Sequence, residues 1–385
     1  MNSMKKSLIL FLCVALTMGF SSVVSANEFE LNSHSAVLME QSTGKVIYEK
    51  NPHDSLPLAS VTKIMTMLLA LEAVEEGKAS LDDMMTTSKR AMDMGGTQIF
   101  LEHGDQISLR DALVAVTVGS ANDASVVIAE HIAGSYEGFI DRMNERALEL
   151  GMENTKFVNS SGLPVEGGSN MSSAYDIALM SRELLKHEIV YEWTTIQWDT
   201  NFMGKVYLSN TNMKFLRNYP GADGLKTGWT TEAGYCVSAT AKREDTRFIV
   251  ATMKSENPDL RLKDVSTLLN HGFGSYKTVT INKKGDIIQT VEVDKGKNLT
   301  VDIVVKEDVS ALMDRKQQEN VEHRVNLPEK IQAPLTKGQV VGNIEVLYND
   351  EVIKTVELIV NEDIEKAGVF SLMGRMFKNM LERVR

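Results

Sequence analysis

Residues 57–74 read PLASVTKIMTMLLALEAV, and the rest of the chain is best understood from this stretch. Apolar side chains at positions 61, 64, 65, 68, 71 and 74 recur at helical spacing. A helix this apolar belongs in a core. Its first turn nonetheless carries Ser60 and Lys63, three positions apart and so on one face. Burial disfavours an ammonium and favours the neutral amine, and a second cation nearby pushes the same way. A neutral amine beside a hydroxyl is a general base beside a nucleophile. The free backbone N–H groups and the positive dipole end of that turn lie where an oxyanion would form.

Two further motifs follow, Ser120-Ala-Asn122 and Lys226-Thr-Gly228. Singly they are weak. Ser-x-x-Lys recurs at Ser3 and Ser42, and Ser-x-Asn at Ser25 and Ser255, whereas Lys-Thr-Gly occurs once. Context selects among them. Ser120 sits between the apolar runs 113–118 and 126–132, where Gly119 and Asn122 suit a turn joining two helices. Such a turn presents one hydroxyl and one amide to a cleft. Lys226 follows Ala222-Asp-Gly224 and precedes Trp229, as at a strand edge. A peptide can lie along such an edge, and Gly228 permits close backbone approach.

The first 26 residues read differently. Lys5 and Lys6 form a positive head, residues 8–16 an apolar run, and Val24-Ser25-Ala26 a small-residue end. This predicts a secretory signal peptide cleaved after Ala26; an uncleaved anchor is the alternative, but the run is short for a bilayer. Cleavage removes Cys13 and leaves Cys236, so no internal disulfide can form and the core must be stable by itself. Cys236, in an apolar strand, reads as a buried inert thiol, and His103 and His131 as structural or exposed residues. The 385 residues carry a formal charge of -11, which argues against a nucleic-acid partner. The seven His and two Cys lack zinc-ligand spacing, which argues against a zinc site of the usual kinds.

Between residues 27 and 275 helical and strand periods mix. Short strands are expected at 36–39 and 45–48, and paired strands at 234–241 and 247–253. Helices are expected after Ser108 and Ser173, each capped with an Asp three residues on, through Phe139, Met143 and Leu148, and from about Asp264 to His271. From 276 to 361 apolar and polar residues alternate, as in Leu299/Val301/Ile303/Val305, which predicts a small all-β domain. Residues 362–385 return to helical spacing, with Ile364, Phe370, Met373, Phe377 and Leu381 on one broad face. Lys366, Arg375, Lys378, Arg383 and Arg385 lie mostly elsewhere. That pattern predicts an amphipathic helix at a membrane surface, with docking on the chain's own β domain as the alternative.

The three motifs, in this order, resemble those of the penicillin-binding protein and serine β-lactamase superfamily. Their surroundings, 57–66, Gly119-Ser-Ala-Asn-Asp-Ala124, Ser161-Gly-Leu-Pro164 with Ser172–Asp176, and 224–235, resemble the low-molecular-mass D-alanyl-D-alanine carboxypeptidases. The resemblance covers essentially the whole mature chain. It implies an α/β (α+β) β-lactamase/transpeptidase-like catalytic domain with a sheet flanked by helices, then the small all-β C-terminal domain and the terminal amphipathic helix. It implies removal of the terminal D-alanine from peptidoglycan stem pentapeptides, inhibition by β-lactam antibiotics, and residence outside the cytoplasmic membrane. By the same resemblance, Ser60 is the nucleophile, Lys63 its base, and Ser120 a proton relay. Asn122 binds the substrate peptide, Lys226 and Thr227 bind its carboxylate, and the N–H groups of Ser60 and Trp229 form the oxyanion hole; the resemblance implies no metal or organic cofactor.

A class A-like β-lactamase is the competing enzyme, since Glu166 and Asn170 match a Glu-x-x-x-Asn spacing. Ser169 and the Ser-Ala-Asn motif depart from that class, and Glu166 reads as a polar loop residue. A non-catalytic peptidoglycan-binding protein is a second alternative. Endopeptidase or transpeptidase action depends on cleft shape.

Overall fold

The computed structural model describes residues 30–316, 321–348, 351–369 and 373. The expected signal peptide, 1–26, and most of the expected terminal helix lie outside these residues.

The catalytic domain is built on a five-stranded antiparallel sheet: β1 Ser35–Glu40, β2 Val46–Lys50, β3 Ala222–Thr230, β4 Gly234–Arg243 and β5 Thr246–Ser255. The order is β2-β1-β5-β4-β3, which places β3, with its Lys226-Thr-Gly228, on an edge. β1 and β5 are buried almost throughout because both faces are covered. α4 Ala174–Leu184, numbered after the three helices described next, packs on β1 and β5. α5 Pro258–Ser275 also packs on the sheet, and its Gly272 lies against Phe248, where a Cβ would come 2.9 Å from the ring.

The remaining helices come from residues 51–221, inserted between β2 and β3. α1 Lys63–Glu75 is the central one, and Lys63 through Leu71 are buried along it. α2 Asn122–Ala133 and α3 Tyr136–Glu149 pack around it. The expected caps form: Ser108 Oγ accepts from Asp111 N at 3.0 Å and Ser173 Oγ from Asp176 N at 3.1 Å.

The helix expected through Phe139, Met143 and Leu148 forms as α3, with Ala147 rather than the 75% exposed Leu148 buried in its last turn. Three local readings need correction. Ser60 lies in a 3₁₀ turn, Ala59–Thr62, and the α-helix begins only at Lys63. α5 starts six residues before Asp264, because Asn257 caps it and Pro258 fits its first turn. Finally, residues 362–368 are not helical. Ile364 bridges to Leu335 and is 2% exposed in the β-domain core, and Lys366 bridges to Gly296.

The C-terminal domain is all-β, as expected. β6 Tyr276–Asn282 pairs with β9 Val309–Asp314. A six-stranded sheet in the order β10-β12-β13-β8-β7-β11 shares one apolar core with that pair. Its strands are β7 Ile287–Asp294, β8 Thr300–Val305, β10 Val321–Asn326, β11 Lys330–Gln332, β12 Val340–Tyr348 and β13 Glu351–Val360. Glu40, fully buried at the end of β1, ties the two domains together. Its carboxylate accepts from Ser42 and Thr43 and, at 3.0 Å, from the Thr278 hydroxyl of β6. Among the described residues, no helix is long and apolar enough to cross a membrane.

Candidate active site

Ser60 and Lys63 meet because the chain is wound as a 3₁₀ turn, in which residues three apart eclipse. Lys63 is fully buried, and its Nζ lies 3.1 Å from Ser60 Oγ. The same amine donates to Asn122 Oδ1 and to Ser161 O, each at 2.6 Å. Burial, then the charge of Lys226, holds Lys63 well below its ordinary pKa, with Asp123 opposing. A neutral amine has two N–H bonds and one lone pair. With both N–H bonds taken by Asn122 and Ser161, the lone pair is left for the Ser60 hydroxyl.

Ser120 ends a π-helical turn, Ala115–Gly119, and takes a left-handed backbone, φ +61° and ψ +32°. A serine held in that region signals a constraint imposed by its surroundings. Here the conformation accompanies a 2.9 Å hydrogen bond that Ser120 Oγ accepts from Lys226 Nζ. Lys226 is 1% exposed, and burial followed by the nearby charge of Arg261 lowers its pKa to about 7. Thr227 is nearly buried on the same strand, and Trp229, two residues on, is 56% exposed.

Gly228 is close-packed against the chain's own backbone. A Cβ there would sit 2.8 Å from Leu58 O and 3.0 Å from Ser60 N, so the missing side chain lets β3 lie directly on the Ser60 turn. The close approach expected for a bound peptide is made by the chain's own backbone.

Several supporting groups were given no role by the sequence, although Gly162 and Asp123 lie in stretches that carry the family resemblance. Gly162, at φ +84°, abuts the other side of the turn, where a Cβ would come within 1.9 Å of Ala59 O. Asn159 Oδ1 accepts from the N–H groups of Ser161 and Gly162, which sets the Ser161 carbonyl. Asp123, fully buried, accepts from Ile99 N and Leu101 N and so fastens the loop whose Gly95 O receives the Asn122 amide at 2.7 Å. Arg261, from the first turns of α5, donates to Cys236 O at 3.2 Å and adds a cation beside Lys226. Distance along the chain hides Asn159 and Arg261, whereas Asp123 and Gly162 belong to the stretches 119–124 and 161–164 that resemble the family and lacked only an assigned contact.

Glu166 is exposed in a turn closed by hydrogen bonds between Val165 and Gly168. Asn170 instead braces the 158–161 segment and donates to Thr62 Oγ1 at 2.8 Å. The pair therefore supplies no buried carboxylate beside Ser60. Cys236 is buried, and burial raises its thiol pKa to about 11. His131 lies 3.1 Å from Asp83, and His103 contacts Thr87 O. Among the described residues, no group of three His, Cys, Asp or Glu side chains is placed to hold a metal.

Comparisons with known proteins match both the α/β part and the β-rich part of the chain. The profile described as D-alanyl-D-alanine carboxypeptidase matches residues 22–257, and that of the penicillin-binding protein 5 C-terminal domain matches 276–366. The chain is 40% identical to D-alanyl-D-alanine carboxypeptidase DacF of Bacillus subtilis, over 91% of this chain and 90% of that one. The crystal structure of a peptidoglycan synthesis regulatory factor, PBP3, from Streptococcus pneumoniae superposes with a TM-score of 0.70 at 29% identity, covering 88% of this chain and all of that one. Ampicillin-bound penicillin-binding protein D2 from Listeria monocytogenes superposes at 0.58 and 33% identity, covering 64% and 98%. The chain belongs to the D-alanyl-D-alanine carboxypeptidase family of serine hydrolases, which acts in peptidoglycan metabolism.

Proposed function

We propose that this enzyme removes the terminal D-alanine of peptidoglycan stem pentapeptides through an acyl-enzyme on Ser60. One observation carries the reading: the buried Lys63 amine has its two N–H directions accepted by Asn122 and Ser161 and its third aimed at Ser60 Oγ. Lys63 takes the hydroxyl proton as Oγ attacks the scissile carbonyl. The backbone N–H groups of Ser60 and Trp229 hold the oxyanion. Ser120, bonded to Lys226, relays a proton to the departing amine of D-alanine. Lys226 and Thr227 hold the terminal carboxylate through charge-assisted contacts, with Arg261 adding positive potential. Asn122 contacts the substrate amide, and Gly228 keeps β3 against the nucleophile. Water then hydrolyses the acyl-enzyme.

A β-lactam ring presents a similar amide, so β-lactams acylate the same serine. Intact-mass measurement should find one penicilloyl adduct that is absent in Ser60→Ala. Fast release of hydrolysed drug with no adduct would instead assign a β-lactamase.

The leader pattern of residues 1–26 supports export. The basic, apolar tail supports attachment to the outer face of the cytoplasmic membrane. Val369 and Met373 are 71% and 54% exposed, consistent with an apolar face left uncovered by the β domain.

A further inference from the structure

We propose that a groove leading on from the C-terminal end of β3 is a subsite for the part of an acidic stem peptide upstream of the scissile bond, with Lys254 meeting a carboxylate there. The proposal rests on the reading of Ser60 and Lys226 given above. That reading fixes a direction. The terminal carboxylate is held at Lys226 and Thr227, and the scissile carbonyl at Trp229 N–H. The acyl side of the substrate therefore continues past Thr230.

There the surface opens into a groove of about 720 Å³. Trp229 and Tyr235 line it, their ring centroids 5.9 Å apart and their planes tilted by 38°. A tryptophan kept 56% exposed offers an apolar face to a ligand. Lys50 and Asn51 from the end of β2 and Lys254 from the end of β5 complete the lining used here. The Lys50 amine donates to Ser33 O at 2.7 Å. Lys254 is exposed and takes φ +56°, beside the point where the register of β4 and β5 slips between Tyr235 and Val237. A bulge of this kind re-aims side chains, and a non-glycine residue in the left-handed region persists only where its surroundings enforce it. Glu232, which accepts the Ser169 hydroxyl at 2.6 Å, and the exposed Glu256 also border the groove and keep their negative charge, so the lining is mixed in sign and Lys254 is the cation at the bulge that a substrate carboxylate would meet.

The test compares two substrates: a pentapeptide with a glutamyl residue upstream of D-Ala-D-Ala, and a short N-acyl-D-Ala-D-Ala that ends before the groove. Lys254→Glu should lower kcat/KM for the pentapeptide about three- to tenfold, chiefly through KM, and leave the short substrate unchanged. Amidating the glutamyl side chain should remove the difference between the wild type and the variant. Equal effects on both substrates, or none on either, would overturn the subsite. Cleavage of the short substrate by the wild type checks the Ser60 reading separately. If neither substrate turns over, calorimetric binding of the pentapeptide to Ser60→Ala, with and without Lys254→Glu, decides. A Kd weakened three- to tenfold supports the subsite, and an unchanged Kd refutes it.

Discussion

A buried pair of lysines lies at one serine, and the proposed mechanism places opposite demands on their protonation: as a base Lys63 would be neutral, and as a carboxylate holder Lys226 would be charged. Burial lowers both, and the charge of Lys226 lowers Lys63 further, while Lys226 itself titrates at about 7. In the free enzyme, kcat/KM for carboxylate-ending peptides should therefore fall as pH rises through about 7, where Lys226 loses its proton. Lys226→Gln should flatten that alkaline limb. It should also lower kcat/KM at pH 6 by roughly ten- to hundredfold, the loss of a charge-assisted contact worth about 1.5–3 kcal/mol. A variant profile that keeps the same alkaline limb would show that another group titrates there. At this scale the sequence was informative where chemistry repeats at a fixed short spacing, as in Ser60-x-x-Lys63. Arg261 reaches the site only through the fold and carries no spacing that marks it, and the 161–164 stretch resembled the family without showing that the Ser161 carbonyl accepts from Lys63.

Between β3 and the 160–163 segment, the Ala59–Thr62 turn is held on both sides by glycines that leave no room for a methyl group. Gly162 combines a left-handed φ with a 1.9 Å approach to Ala59 O, so Gly162→Ala should cost about 2–4 kcal/mol, from overpacking and backbone strain together. Thermal unfolding should report the loss, and the rate of penicillin acylation should fall even below the melting transition because the turn is displaced. Normal stability and acylation would mean that the turn can shift freely. Element types were legible from periodicity, and the sheet's edge strand from its motif. Element ends were less so. The 3₁₀ start of α1 reflects these flanking backbones, which no local pattern encodes, whereas Asn257-Pro258 is a local cap signal for the start of α5, outweighed in the periodicity by the more apolar residues after it.

The two domains are joined through Glu40, whose carboxylate accepts hydrogen bonds from its own β-turn and from Thr278. Glu40→Ala would leave the buried Thr278 hydroxyl and the part-buried donors of Ser42 and Thr43 without their acceptor and should destabilise the protein by about 2–3 kcal/mol. Limited proteolysis should then release the domains by cleavage near residue 276, and an unchanged digest would show that other contacts suffice. The alternation that marked the β domain in the sequence could not show this clamp, because one of its partners lies 238 positions away.

The end of the β domain sets how the tail must be tested. Ile364 lies in the domain core, Leu335 and Ile364 exchange backbone hydrogen bonds at 2.9 Å, and Ala367 N donates to Lys295 O at 2.8 Å. A chain ending at Asn361 removes that buried side chain and should lose about 2–5 kcal/mol, by analogy with truncation of a core isoleucine. A chain ending at Ala367 keeps those contacts and removes only the segment proposed to meet the membrane. That segment still carries Arg375, Lys378, Arg383 and Arg385, each worth about 1 kcal/mol at an anionic surface. Gly368 and Gly374 weaken a helix there by about 1 kcal/mol each, so helix should build up on contact with lipid. The Ala367-terminated enzyme should therefore match the leaderless full-length enzyme, Asn27–Arg385, in melting temperature and in cleavage of small peptides, yet fail to co-sediment with anionic vesicles. Co-sedimentation of both forms to the same extent would remove the membrane role from the tail and return it to the surface of the β domain.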